Sequence, residues 1–589
     1  MVNCTLHCGV QFYYRKGEEM KKNLKWFDYI FIVLILGLIV FKVWLEMELI
    51  DYMAELIMKV QYSYSVKEIW QTGKMMLLVS GGSLIATIVS NNLSALVSAN
   101  YARRLRSNIF AKVNSFSQEE INKFSTASLI TRSTNDVTQV QNAMQMALRM
   151  LIMAPTMAIF SITRIVNSSI QLSGATGIAV GLMFAMFIVL FFIVMPSFKR
   201  VQKQTDRLNL VSRENLTGIR VVRAYNAENI QEKKFDEVNK DIADTYYFIG
   251  KVMSFMDPGM NIISNGLILT IYWLGASLIN AGSLQYSNLV AFTQYGMHIL
   301  MSFMFLSWMI IMMPRAFVSA RRIKEVLKTK SKVEPGTFDG KTELTGKVEF
   351  KNVSFRYPDA ELNTLENINF TVNKGETIAF IGSTGSGKST LVNLIPRFFD
   401  TTYGEVLVDG VNVKEYTHDA LNQKLGFVPQ KGVLFKGTVR ENIGYGVEKL
   451  DENKLKECLD VAQANFVYDL ENGLDYEISQ GGTNVSGGQR QRLCIARAIA
   501  KDPEIYVFDD SFSALDYKTD RVLRTRLNEY TKSATKIIVA QRVGTIMDAD
   551  KIVVLNEGKM VGMGTHKQLL KSCPVYKEIA LSQLSKEEL

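Results

Sequence analysis

The sequence predicts an α-helical membrane domain of six long helices followed by an α/β domain, and three observations carry that reading. The chain has 589 residues, of which 48% are hydrophobic and only 21% charged. Its mean hydropathy is +0.07, above the range of ordinary soluble chains. The excess apolarity lies almost entirely before residue 315, and from about Gly346 short β-rich runs alternate with helical segments. Intrinsic disorder is excluded, because it requires low hydrophobicity and high charge. The expected division is a leader at 1–19, a six-helix transmembrane domain at 20–330 with two long cytoplasmic extensions, a linker at 331–345 and an α/β domain at 346–589.

Residues 1–19 contain no apolar core and so are no signal peptide. Lys16-Gly17-Glu18-Glu19-Met20 is what a purine-rich ribosome-binding site followed by a start codon would encode in frame. We therefore expect translation to start at Met20, with residues 1–19 outside the native protein. Cys4-Thr5-Leu6-His7-Cys8 lacks a second ligand pair and is not read as a metal site.

A membrane span needs about 20 apolar residues. The first runs from Phe27 to about Trp44, and Met75–Ala102, which carries no formal charge, is the second. Met150–Asn167 and Gly174–Pro196 follow, joined by the short uncharged turn Ser168–Ser173. Pro258–Pro314 lacks any Lys, Arg, Asp or Glu over the length of two spans, with Asn280–Tyr286 as the turn between them. Arg103, Arg104, Arg106, Lys112, Lys123 and Arg132 mark one long basic segment, and Lys199, Arg200, Lys203, Arg207, Arg213, Arg220 and Arg223 mark another. The opposite loops are nearly uncharged or, at Glu46, Glu48, Asp51 and Glu55, acidic. The positive-inside rule then places both basic segments and both termini in the cytoplasm. It also accounts for the net charge of +10 without nucleic acid as a partner. Five scattered cysteines make no disulfide framework and fit a reducing cytosol.

In the α/β half, Gly382-Ser383-Thr384-Gly385-Ser386-Gly387-Lys388-Ser389 fits G-x-x-x-x-G-K-[ST]. It follows an apolar strand and precedes the helical run Leu391–Ile395, the context this phosphate-binding loop requires. Glycines let backbone N–H groups wrap phosphates, and the helix N-terminus adds its positive end. Lys388 is expected to reach the β- and γ-phosphates of ATP and Ser389 to ligate Mg²⁺. Ile505-Tyr506-Val507-Phe508-Asp509-Asp510 is a buried strand ending in two carboxylates, with Asp509 the expected second Mg²⁺ holder. Between them lies Val485-Ser486-Gly487-Gly488-Gln489, followed by Arg490-Gln491-Arg492.

This combination resembles the ATP-binding cassette family, and six spans plus one cassette resemble a half-transporter of the multidrug exporter type over the whole chain. The fold class that follows is an exporter-type membrane domain ahead of an α/β P-loop ATP-binding cassette. The resemblance implies roles for further residues. Tyr357 matches the aromatic that stacks on adenine, and Thr390 closes the phosphate loop. Gln430, after Phe427-Val428-Pro429, matches the glutamine that contacts Mg²⁺ and links the site to the membrane half. Ser486, Gly487, Gly488 and Gln489 match the signature that completes a partner cassette's site. Ser513-Ala514-Leu515-Asp516 matches the D-loop. Glu214–Val222 and the residues around Glu119–Ile130 match the two cytoplasmic coupling segments.

Two positions depart from the family pattern. Asp510 stands where working sites carry a catalytic glutamate, and Gln541 stands where they carry a switch histidine. None of the four histidines (His7, His298, His418, His566) falls at that position. Asp510 is one methylene short of the usual reach toward an attacking water, and general-base catalysis worth about 10²–10⁴ in rate depends on that reach. Gln541 can hydrogen-bond a phosphate but cannot carry a proton. The expectation is a Walker site that binds ATP and cleaves it slowly. Its partner is expected to be a non-identical half-transporter with the consensus glutamate and histidine, together forming a heterodimeric bacterial exporter in the cytoplasmic membrane.

Cargo is less constrained. Met297, Met301, Met304, Trp308 and Met312 recur at helical spacing in the sixth span; the pattern reads first as ordinary packing or lipid contact, and otherwise as an adaptable surface that accepts varied apolar ligands. Small amphipathic or drug-like compounds are the expected substrates. Lipid or peptide export, and a nucleotide-gated regulator or channel without pumping, stand as alternatives. Asn91 and Asn92 are expected to pair between helices within the membrane, with a substrate contact as the alternative.

Overall fold

The computed structural model describes residues 24–168, 170–358, 360–447 and 450–584. The expected leader, the start at Met20 and the Cys4–Cys8 stretch lie outside the described residues, as do the side chains of Trp308 and Met312. Internal packing divides the chain into two units. The first comprises residues up to Val113 together with Ala127–Lys328, and the second comprises Asn114–Thr126 together with the chain from Thr329 onward.

The membrane unit is built from α1 (Trp26–Gln61), α2 (Val66–Asn114), α5 (Asn135–Ser168), α6 (Ile170–Thr217), α8 (Glu228–Met253), α9 (Met256–Asn280) and α10 (Tyr286–Lys328). The short α4 (Thr126–Ser133) and α7 (Ile219–Ala224) join the long ones, whereas the short α3 (Gln118–Phe124) belongs to the second unit. Among the described residues six helical stretches are long and apolar enough to span a membrane. At about 1.5 Å per residue, 48- and 49-residue helices such as α6 and α2 far exceed a hydrocarbon layer roughly 30 Å thick. They continue beyond it through the basic segments. Outward-facing Leu77, Leu78, Ile85 and Ile178 are exposed, as lipid-facing positions are. The unit's main core joins Met47 and Ile50 of α1, Leu172, Ala179 and Met183 of α6, Leu267 and Ile271 of α9, and Phe292, Tyr295 and Ile299 of α10.

Three local expectations are corrected. The acids Glu46, Glu48, Asp51 and Glu55 are in no loop: α1 runs unbroken to Gln61, because nothing from Leu38 onward is a Gly or Pro that would stop it. There Arg164 of α5 pairs with Glu48 and Asp51, at 2.9 Å each, and Tyr295 donates its hydroxyl to Asp51. The turn expected at Ser168–Ser173 is shorter, since α6 begins at Ile170. Asn92 donates to the carbonyl of Ile88 on its own helix, 2.9 Å away, rather than to another helix.

In the second unit a six-stranded sheet runs in the order β12 (Lys559–Gly564), β11 (Lys551–Asn556), β3 (Thr377–Gly382), β10 (Thr535–Val539), β9 (Ile505–Asp509), β6 (Leu425–Val428). All of its pairings are parallel except β11 with β12. Every residue of β9 and β10 is buried, the uniform pattern of strands covered on both faces. A second, antiparallel sheet orders β2 (Leu365–Val372), β1 (Val348–Phe355), β4 (Tyr403–Val408) and β5 (Val411–Asn412), and a small ribbon pairs β7 (Gly437–Thr438) with β8 (Glu477–Ile478). Register pairs Val539 with both Phe380 and Asp509, so the carboxyl ends of β3, β9 and β10 are level. That is the edge of a parallel sheet where ligands bind.

Candidate functional site

Three loops leave those level strand ends. After β3 the chain turns through Gly382–Gly387 into the helix Lys388–Asn393. Gly387 adopts φ +94°, and a Cβ there would lie 2.8 Å from Leu365 and 3.0 Å from the Thr364 carbonyl, so only glycine fits. Lys388 Nζ donates to the carbonyls of Gly382 (2.9 Å) and Ser383 (2.7 Å) and to Ser386 Oγ (3.3 Å), fixing the ammonium over the loop. Burial lowers the Lys388 pKa, opposed by the charges of Asp510 and Asp509. Ser389 donates its hydroxyl to Asp509 Oδ1 at 2.9 Å, joining loop to strand end. Burial raises the Asp509 pKa; the Ser389 bond works against this, and the neighbouring Asp510 charge adds to it.

After β9, Asp510 takes φ +48°, a left-handed conformation that aspartate tolerates better than most residues. Its N–H donates to the Val539 carbonyl at 3.0 Å, and its side chain is buried. Asp510 Oδ2 accepts two amide bonds, from Gln541 Nε2 at 2.7 Å and from Gln430 Nε2 at 3.2 Å. Both in-plane acceptor positions of that oxygen are thereby occupied. Gln430 therefore sits on Asp510, and both positions that depart from the family pattern meet in one hydrogen bond.

Tyr357 lies beside the phosphate loop, its hydroxyl 3.1 Å from Thr390 Oγ1. Its ring meets Phe355 and Phe399 edge-on, with centroids 4.9 and 5.4 Å away. With Arg356, Phe399 and Thr401 it lines a cavity of about 270 Å³. The expected residues Gly382–Thr390, Gln430, Asp509, Asp510 and Gln541 are thus gathered at one sheet edge, with Tyr357 against it.

Comparison with known proteins places this geometry in a family. Residues 365–513 match the family model described as ABC transporter, and residues 30–304 match the ABC transporter transmembrane region. An uncharacterized ABC transporter ATP-binding protein of Mycobacterium tuberculosis is 38% identical over 516 residues, covering 87% of this chain and 88% of its own. This chain belongs to the ABC transporter family. A Bacillus subtilis relative, the uncharacterized ABC transporter ATP-binding protein YfiB, is 35% identical over 532 residues, 89% of this chain and 91% of that one. The solved structure of a bacterial Atm1-family ABC exporter with ATP bound shares the fold, with TM-score 0.79 at 22% identity, covering 95% of this chain and 98% of that one.

The chain is accordingly an ABC half-transporter of the exporter fold, a multi-pass membrane protein with a cytoplasmic ATPase domain coupled to transport. The site fits its nucleotide. Gly385 borders open space, and the loop, the helix start and Lys388 offer N–H groups and positive charge to phosphates. Ser389 and Asp509 offer the hard oxygen donors that Mg²⁺ takes. When bound, Mg²⁺ neutralises charge on the transferred phosphates.

In this ABC transporter the signature begins the helix Gly487–Ala500. Ser486 caps it by accepting from the Gln489 N–H at 3.2 Å, and Gln489 Oε1 accepts from the Ser486 N–H at 2.9 Å. Among the described residues the side-chain bonds of Ser486 and Gln489 are to each other, a capping box closed within the segment. Asp516 of the D-loop caps the next helix through the Thr519 N–H. Glu120 accepts from the Lys332 N–H at 3.3 Å, fastening α3 to the chain beyond residue 329.

Two residues were missed by sequence reasoning. Buried Gln491 accepts from the Gly432 N–H and donates to the Pro429 carbonyl, tying the signature helix to the segment that carries Gln430. Its signal was present, as a polar residue on the inward face of an amphipathic helix. Gln583 bonds the backbone around Gln541 from the end of the chain's last described helix, and nothing in its local sequence marks it.

Proposed function

We propose that this chain is the slow-site subunit of a heterodimeric ATP-driven exporter that moves amphipathic or drug-like compounds outward across the cytoplasmic membrane. Its own Walker site, built on Lys388, Ser389 and Asp509, holds Mg²⁺–ATP. Asp510 and Gln541 make hydrolysis there slow. Its signature, Ser486–Gln489, completes a faster site on a non-identical partner that supplies the glutamate and histidine. ATP bound at both sites draws the cassettes together, the coupling segments carry that motion into the membrane helices, and hydrolysis at the partner-based site resets them.

The observation that supports this reading best is the 2.7 Å bond from the Gln541 amide to Asp510 Oδ2, with the Gln430 amide on the same oxygen. The groups that bind phosphate and metal are kept, while those that handle the proton are replaced by a short acid held between two amides. The methionines Met297 and Met304, half-buried, and Met301, exposed, support the amphipathic cargo.

The test is co-purification of the tagged chain from native membranes, followed by ATPase and vesicle-uptake assays. The expected result is a second half-transporter in equal amount, with uptake of amphipathic compounds that requires hydrolysis. A chain that purifies as a homodimer and hydrolyses ATP rapidly overturns the proposal. Uptake on ATP binding alone favours a nucleotide-gated channel, and uptake restricted to lipids or peptides replaces the cargo.

A further inference from the structure

We propose that Gln583 is a positioning residue for the nucleotide site, holding the Gln541 loop so that its side-chain amide meets Asp510. Gln583 ends the helix Pro574–Gln583, about 40 positions along the chain from Gln541. Its Oε1 accepts from the Val543 N–H at 2.7 Å, and its Nε2 donates to the Gln541 carbonyl at 2.8 Å. One side-chain amide thus brackets Arg542 from both sides.

The local structure needs such a brace. Val543 begins the helix Val543–Ile546, and the preceding Arg542 provides no side-chain cap. The first N–H groups of a helix have no partner within it, and a Ser, Thr, Asp or Asn at that position ordinarily supplies one. Here Gln583 supplies the missing acceptor from a distant element. The rest of the loop is tethered elsewhere: the Ala540 N–H donates to the Phe380 carbonyl at 3.1 Å, and Arg542 donates to the Ser513 carbonyl at 3.3 Å. With the backbone fixed on both sides, the Gln541 side chain reaches Asp510 Oδ2.

The brace is itself anchored. Tyr576 and Ala580, on the same helix as Gln583, are fully buried in the domain core, and the Tyr576 hydroxyl lies 2.7 Å from His566 Nδ1. Gln583 is an exposed residue, so its two bonds to the loop, rather than packing, are what its side chain contributes. The nucleotide site is therefore wired to the end of the chain's final described helix.

The functional consequence rests on the slow-site reading: loosening the loop should weaken retention of ATP at this chain's site. The test uses the full-length transporter with Gln583→Met, which keeps length and loses both bonds, and Gln583→Glu, which keeps only the acceptor. Hydrogen exchange across residues 541–546 reads the brace directly. Gln583→Met should speed exchange of the Val543 amide about fivefold, the worth of one ordinary hydrogen bond, while Gln583→Glu leaves it slow. Photo-crosslinkable labelled ATP, chased with unlabelled ATP and read on this chain, reports retention. Gln583→Met should speed its release about fivefold, with no further effect in a Gln541→Ala background. Unchanged exchange overturns the proposal, and so does an equal effect on release with and without Gln541, the mark of a merely structural role. If this site instead hydrolyses ATP rapidly, the slow-site reading fails while the exchange measurement still decides the role of Gln583.

Discussion

The two sides of the nucleotide site are built from the same strand ends but to different specifications. On the phosphate side, Lys388 makes three bonds to its own loop and Ser389 reaches Asp509, with residue types that the family pattern requires. On the hydrolytic side, Asp510 and Gln541 both depart from that pattern and bond to each other. The departures are a matched pair, because the longer glutamine amide closes onto the shorter acid. Holding a nucleotide needs donors and positive charge, whereas cleaving it needs a group that can receive a proton. On the slow-site proposal the first requirement is met here and the second is compromised.

The largest expected effect comes from reversing the second side. Asp510→Glu with Gln541→His should raise turnover at this chain's site by about 10²–10³, measured as single-turnover hydrolysis in the assembled transporter. Gln541→His alone should recover far less, since Asp510 remains short; equal recovery by the single change would break the matched pair. Next, Lys388→Met should lower ATP occupancy of this site by about 10², because charged hydrogen bonds to phosphate are lost, without the domain unfolding. Photolabelling of this chain and a thermal melt check both halves of that statement. Smallest, Ser486→Ala removes a helix cap worth about 1 kcal/mol. It should reduce overall turnover severalfold while leaving ATP retention at the chain's own site unchanged. A matching loss of retention would mean that the signature and the Walker loop are not separate.

Much of this was legible in the sequence, for identifiable reasons. The phosphate loop, the Asp509 strand and the signature are contiguous motifs, so spacing alone located them. The apolar stretches marked the spans, and the turn between the last two spans lies at residues 281–285 as expected. Pairings between distant positions were not legible. Arg164 meets Glu48 and Asp51 because α1 and α5 pack side by side, and no local pattern encodes that meeting. A list of replaced residues likewise did not reveal that Gln430 and Gln541 converge on one oxygen of Asp510. Gln583 was invisible for the same reason, since an exposed glutamine at a helix end looks like any solvated surface residue. Polarity is a poor marker of a helix end, as at Glu46–Glu55, because an unbroken run without glycine or proline keeps a helix intact through charged residues.

On the slow-site proposal this chain's Walker site keeps its ATP uncleaved while the transporter turns over. The most direct measurement cross-links azido-ATP to this chain in the assembled, cycling transporter, comparing label on the α-phosphate with label on the γ-phosphate. Nearly equal incorporation of the two labels is predicted, because the retained nucleotide is ATP. Retention of the α-label with loss of the γ-label would show that the site hydrolyses at each cycle and would overturn the slow-site proposal.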